Sequence, residues 1–245
     1  MEHEILVTRL FNDHLGGVGR AILEAVGVHA HNMDRPWTNW MTMQLLVALI
    51  IIVVFAVLKP RLSMDKPGKL QHIFESLYLF LKGEAETNVG HHGHHYVAFF
   101  GTIFFFILFA NLIGVIPGFE SPTMFPYVPA GIAIAAFLYY NIIGMKVQGP
   151  GKYLAHFAGP VPVMAPLMFP IEIISNFARP LSLTVRLYAN MYAGEQVTLV
   201  FLSLTYLVMP AVFMGLHVFV SFLQAYIFAL MTMIYVGGAV HHDDH

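Results

Sequence analysis

Cysteine is absent from the whole 245-residue chain, which excludes a disulfide framework and thiolate-based metal or redox chemistry. Charge is scarce as well. Asp, Glu, Lys and Arg together make up 11% of the residues, against about 25% in soluble domains. So little charge cannot coat a globular surface, and a soluble enzyme is not the expected class. Lys and Arg number 12 and the formal net charge is −2, so the clustered basic footprint of a nucleic-acid binder is missing. Disorder requires low hydrophobicity and high net charge, and the chain has neither. Apolar residues make up 58% of it. The expected fold class is an all-α integral membrane protein.

Uncharged apolar runs at 40–58, 96–119 and 126–145 each approach the ~20 residues that carry a helix across a bilayer. From 163 to 240 the chain is almost continuously apolar and divides near Val208-Met209-Pro210. Two long spans, 163–207 and 210–240, are expected there. Both exceed the bilayer length, so they should tilt or kink, and Pro180 should bend the first. Leu70, Ile73, Phe74, Leu77, Tyr78 and Leu81 recur at helical spacing opposite Gln71, His72, Glu75 and Ser76. That pattern, short and charged midway, predicts an amphipathic helix over 69–82 lying in the membrane surface. The expectation is five spans and one interfacial helix in a single membrane domain, 40–240, the last two spans forming a long tilted hairpin. An N-terminal tail, 1–39, and a C-terminal tail, 241–245, flank it.

Lys59, Arg61, Lys66, Lys69 and Lys82 follow the first span, and Lys146 and Lys152 follow the third. The connection between the second and third spans, 120–125, has no Lys or Arg. Basic loops stay cytoplasmic, which puts the N-terminus outside and the C-terminus inside. The first 30 residues lack the apolar core of a signal peptide and the Arg-rich, acid-poor composition of a transit peptide.

From residue 153 to 242 there are four formal charges: Glu172, Arg179, Arg186 and Glu195. Each costs roughly 2.5–3.5 kcal/mol near the bilayer centre even on a lenient scale, so they cannot simply face lipid. Glu172, Arg179 and Arg186 are spaced by seven along one helix face with a slow drift. Ser175, Ser182 and Asn190 fall on or beside that stripe. On the last span, His217, Ser221 and Gln224 form another, with Thr232 further along. Two facing helices with polar stripes in apolar bodies describe a hydrated path for a small ion. Glu195 lies about 180° around the helix from Arg186 and should serve a different surface. Glu172 and Arg179 have a second reading, as a structural pair or as head-group-level charges, and His217 has one as a packing residue. Arg186, flanked by Leu181, Leu183, Val185, Leu187 and Tyr188, has the strongest claim to function.

At Ser182-Leu183-Thr184-Val185-Arg186-Leu187-Tyr188-Ala189-Asn190-Met191-Tyr192-Ala193-Gly194-Glu195 the sequence resembles subunit a of bacterial F-type ATP synthases, the stator channel subunit of the Fo sector. Leu223-Gln224-Ala225-Tyr226-Ile227-Phe228 and the Asn111-Leu112…Ile116-Pro117 end of the second span add to it. The resemblance implies a multi-pass protein of the bacterial inner membrane. Its partners would be a ring of c-subunits, the b-subunit peripheral stalk and the other synthase subunits. It would lead protons or sodium ions through two half-channels to the c-ring. Carried over residue by residue, Arg186 is similar to the essential stator arginine, with Gln224 its partner and Asn190 one turn beyond. Glu195 and His217 match the polar pair of the outer half-channel. Glu172 and Ser175 match positions lining the cytoplasmic one. Arg179 stands where some members have Lys, and Gly114 where some have an acid. The chain would have no catalytic site and no cofactor of its own.

A secondary transporter with a midplane polar site is the rival class. It usually brings inverted repeats and broken helices, and no internal repeat is visible here. A passive membrane anchor would leave the Arg186 stripe unexplained. His91-His92-Gly93-His94-His95 and His241-His242-Asp243-Asp244-His245 contain metal-competent imidazoles but read as solvated, unliganded segments, so no metal site is expected.

Overall fold

The computed structural model describes residues 4–26, 35–63, 68–90, 93–116, 118–156, 165–204 and 208–240. The tail 241–245, His91 and His92, and the first and last residues of the 163–207 span lie outside the described residues.

The described chain is helical: α1 (Leu6–Val26), α2 (Asn39–Leu58), α3 (Lys69–Val89), α4 (Val97–Ile113), α5 (Tyr127–Gln148), α6 (Pro150–His156), α7 (Ala165–Leu204) and α8 (Val208–Val240). By length and apolarity four stretches are fit to cross a bilayer: Asn39–Leu58, Gly93–Ile113, Tyr127–Gln148 and Ala211–Val240. The helix α7 runs for 40 residues, but its charges and polar residues keep it out of that set. The stretch 69–82 is helical but belongs to a longer helix, α3, in which Leu70, Ile73 and Tyr78 are exposed and Gln71 is buried. Beyond Lys82, the buried positions Ala85 and Val89 continue the face of buried Leu81 at intervals of four, and Gly90 ends the helix at φ 80°.

The helix α8 is the hub, packed against α3, α4, α5 and α7. Its buried face carries Ala225, Phe228, Ala229, Met233, Val236 and Ala239, mostly small residues alternating with large ones, which lets neighbouring backbones approach. Gly237 marks the closest approach: a Cβ there would collide with the Asn88 carbonyl of α3. Phe100, Phe104 and Ile107 of α4, Tyr140 of α5 and Leu183, Leu187 and Met191 of α7 complete this core.

Within the N-terminal segment, α1 docks on α2 with its polar side inward. Thr8 and Asn12 are buried while Leu6, Leu10 and Val18 are exposed. The Asn12 amide clasps the backbone of Trp37, donating to its carbonyl at 3.1 Å and accepting from its N–H at 3.0 Å. The Trp37 indole donates to the Leu15 carbonyl at 2.9 Å. Gly19 leaves room for that indole and for Pro36.

In α7, Pro180 cannot supply the N–H that the carbonyl of Asn176 would accept. The Tyr140 hydroxyl of α5 lies 3.5 Å from that freed carbonyl and donates to the Asn176 side chain. A sequence-local defect is thereby met by a neighbouring helix. Tyr140→Phe should remove both contacts and cost about 1–3 kcal/mol, read as a lower melting midpoint of the purified protein in detergent.

Candidate functional site

The polar stripe of α8 faces the interior throughout: His217 is 9% exposed, Gln224 2%, and Ser221 and Thr232 are fully buried. Ser221 and Thr232 satisfy their hydroxyls locally, donating to the carbonyls of His217 at 2.7 Å and Phe228 at 2.9 Å. Gln224 and His217 are thereby left as the groups of this stripe that face α7.

Between α7 and α8 lies a cavity of about 420 Å³ lined by Asn190, Gly194, Thr198, His217, Gln224 and apolar side chains. Asn190 Nδ2 donates to Gln224 Oε1 at 2.9 Å, pinning the two helices together one turn from Arg186. The His217 ring lies over Gly194, whose absent Cβ would touch it at 3.6–3.8 Å. Among the described residues its buried Nε2 has no hydrogen-bond partner. An unpartnered imidazole nitrogen beside a cavity this size has room for ordered water and a proton.

Arg186 is half-buried, and among the described residues its guanidinium makes no ion pair or hydrogen bond. It lies on the stripe of Asn190 and Ala193 that borders the cavity. Glu195, on the other side of α7, faces the turn between α4 and α5, where its carboxyl interacts electrostatically with Glu120. Among the described residues no hydrogen bond joins Glu195 to His217, which sit on the two sides of Gly194.

Arg179 parts company with Arg186 although seven residues separate them. Its guanidinium lies 5.0 Å from the Tyr235 ring centroid and 6.0 Å from that of Tyr140, a cation–π cage that ties α7 to α5 and α8. Among the described residues it forms no ion pair with Glu172. Below this cage, Asn176 donates to Asn141 at 3.4 Å and Tyr153 of α6 donates to the same oxygen at 2.8 Å. Burial pushes the Tyr153 phenol up, with the Arg179 charge pulling it partly back. Glu172 is half-buried and Ser175 exposed on the first turns of α7, apart from the α7–α8 cavity. Arg179→Ala should loosen this end of the bundle by about 1–2 kcal/mol, seen as a lower melting midpoint in detergent.

Sequence reasoning passed over Glu120, Asn141 and Asn176. A lone acid in a short loop carries no periodic signal, and Asn141 stands alone in an apolar helix, whereas Asn176, four residues after Glu172 and three before Arg179, lies on the α7 stripe and could have been found there. Among the described residues no cluster of three metal-binding side chains converges.

A model of the ATP synthase A chain family matches residues 41–237. A protein of Solibacter usitatus called ATP synthase subunit a is 69% identical over 234 residues, covering 96% of this chain and 100% of its own length. Its counterpart in Koribacter versatilis is 44% identical over 242 residues, 99% of each chain. One in Bdellovibrio bacteriovorus is 46% identical over 175 residues, 71% of this chain and 76% of its own. With the family model spanning most of its length and near full-length relatives at these identities, the chain belongs to the ATP synthase A chain family, the subunit a of the Fo sector.

Proposed function

We propose that this chain is the stator ion-path subunit of a rotary ATP synthase, leading protons to and from a rotating c-ring through two offset half-channels kept apart by Arg186. The observation that carries this reading is the Asn190–Gln224 hydrogen bond. It locks α7 to α8 one turn from a half-buried arginine that has no partner among the described residues. Such a cation needs an anion from elsewhere, and the c-ring carboxylate is the anion the family supplies.

In this reading α7 is a fifth span, tolerated because Arg179 is caged by Tyr140 and Tyr235 and its other charges face the ring and the aqueous paths, and α3 lies along the cytoplasmic surface. The N-terminus is outside and the C-terminal tail cytoplasmic, in a bacterial inner membrane, with the b-subunit stalk and other synthase subunits around it. Glu195 and the His217 cavity serve the outer half-channel; Glu172 and Ser175 serve the cytoplasmic one. The chain moves ions and makes no covalent bond in substrate. Sodium coupling would use the same path, with selection residing in the ring.

The guanidinium stays protonated at every working pH, so a ring carboxylate beside it is held ionised. The carboxylate must release its proton on one side of Arg186 before passing and take one up on the other. The fixed positive charge also opposes a proton leaking straight between the half-channels. The His217 imidazole can both accept and donate a proton and is chemically suited to hand protons on.

The absence of native cysteine makes a clean test possible. A cysteine at Ala189, exposed and three residues from Arg186, should form a disulfide with a cysteine placed beside the c-subunit carboxylate. An assembled complex that never forms this bond would refute the reading. Separately, His217→Ala should slow proton flow roughly tenfold or more at unchanged ring association, measured as passive conduction in vesicles stripped of the ATP-hydrolysing sector. An unchanged rate refutes the relay.

A further inference from the structure

A second set of buried polar groups gathers where the α4–α5 turn meets α2 and α7. Ser121, 1% exposed, donates to the Ala110 carbonyl at 2.9 Å and lies 2.7 Å from the Thr123 hydroxyl. Thr123, fully buried, donates to Asn111 Oδ1 at 2.6 Å. Asn111 is fully buried too, and among the described residues its Nδ2 has no hydrogen-bond partner. This fold-back exists because residue 114 is glycine: a Cβ there would come within 2.7 Å of the Ser121 Cβ and 3.0 Å of its backbone nitrogen.

The fold-back sets the position of Glu120. Its Oε2 accepts from Asn39 Nδ2 at 3.4 Å, and Asn39, buried at the start of α2, accepts in turn from the Ile5 N–H at 3.4 Å. Two helices and a turn thus orient one half-buried carboxyl. The turn Pro122–Met124 packs directly on α7, on the side where Glu195 stands. A loop acid that only solubilised a surface would point to water. This one accepts from a buried amide and interacts electrostatically with Glu195 of the helix its turn packs on, and two neighbouring acids concentrate cations between them.

We infer that Glu120 is the entry acid of the outer half-channel, taking protons from the outer surface and passing them to Glu195, with Asn39 as its positioning residue. The inference rests on the function proposed above and deepens it. The step balances simply: the O–H bond of a protonated Glu120 breaks, one forms at Glu195, and Glu120 returns to its carboxylate.

The test uses the assembled synthase in vesicles, with passive proton conduction expressed per assembled ring. Glu120→Gln should lower conduction roughly fivefold or more, and Glu120→Asp should keep most of it. Asn39→Leu should give an intermediate loss. Glu120→Gln conducting like the parent overturns the inference. Glu120→Cys supplies an independent measurement, because the chain has no other thiol. A cationic thiol reagent applied from the outer side should block its remaining conduction, and indifference to that reagent also overturns the entry role. Arg186→Ala, measured alongside, separates the two claims. If it pumps normally, the proposed function fails; if it is inactive while Glu120→Gln is normal, only the entry role fails.

Discussion

Arg186→Ala should abolish ATP-driven proton pumping in inverted vesicles and proton-driven ATP synthesis, while the chain still co-purifies with the c-ring. The expectation follows from where the residue stands. Leu183, Leu187 and Met191 make the packing face of α7 and are at most 3% exposed, whereas Arg186 is only half-buried and spends its charge on no partner among the described residues. On the proposed function its removal therefore takes little from the fold and everything from the electrostatic gate. Each proton crossing 100 mV releases about 2.3 kcal/mol; without the fixed cation that energy is lost as leak instead of turning the ring. Arg186→Lys is the informative companion. An ammonium keeps the charge but loses the planar fork and can shed its proton when desolvated, so coupling should fall strongly rather than survive. Normal pumping by the alanine variant would sink the proposed function.

Gly237→Val is expected to have the largest effect on assembly. Any Cβ at residue 237 would run into the backbone carbonyl of Asn88, and a backbone group cannot swing aside as a side-chain tip can. Even Gly237→Ala must push α3 off α8, with overpacking costs of about 1–3 kcal/mol, and valine should exceed that. The adjacent glycine supplies the control. Gly238 is exposed, with nothing within 4 Å of its would-be Cβ. Gly238→Ala should be neutral or stabilising by up to about 1 kcal/mol through helix propensity alone. Melting in detergent and the yield of ring-bound chain should therefore move in opposite senses for two neighbouring glycines. Equal behaviour would show that α3 does not seat on α8 as described.

These two residues also show how far the sequence could be read. The α8 stripe of His217, Ser221, Gln224 and Thr232 was visible because polar residues at helical spacing in an apolar helix leave few interpretations, and all four are buried. Arg186 stood out for the same reason. Gly237 and Gly238 are indistinguishable in sequence, since what separates them is a carbonyl nearly 150 positions away in the chain. Arg179 and Arg186 likewise share a spacing and a residue type. Their different surroundings come from the Tyr140 and Tyr235 rings on other helices. The tail before residue 40 carries apolar periodicity at helical spacing, yet its helix sits inverted, with Thr8 and Asn12 inward and Leu6, Leu10 and Val18 outward, which the pattern alone does not reveal.

The inversion marks the boundary between the two levels. The sequence by itself determined the compartment, the main helical stretches and the short list of intramembrane polar groups. Transfer into a bilayer is close to a sum of per-residue terms, so a linear reading suffices. Only the tertiary structure decided which helix faces meet, which glycine admits a neighbouring backbone, and that Glu120 comes within electrostatic reach of Glu195. Among apolar surroundings the hydrophobic effect no longer sorts inside from outside. Association rests on close packing of small residues and on hydrogen bonds between distant segments, and neither is encoded locally. The scarcity of charge points to the membrane; what the few charges do is set by partners that only the folded chain brings to them.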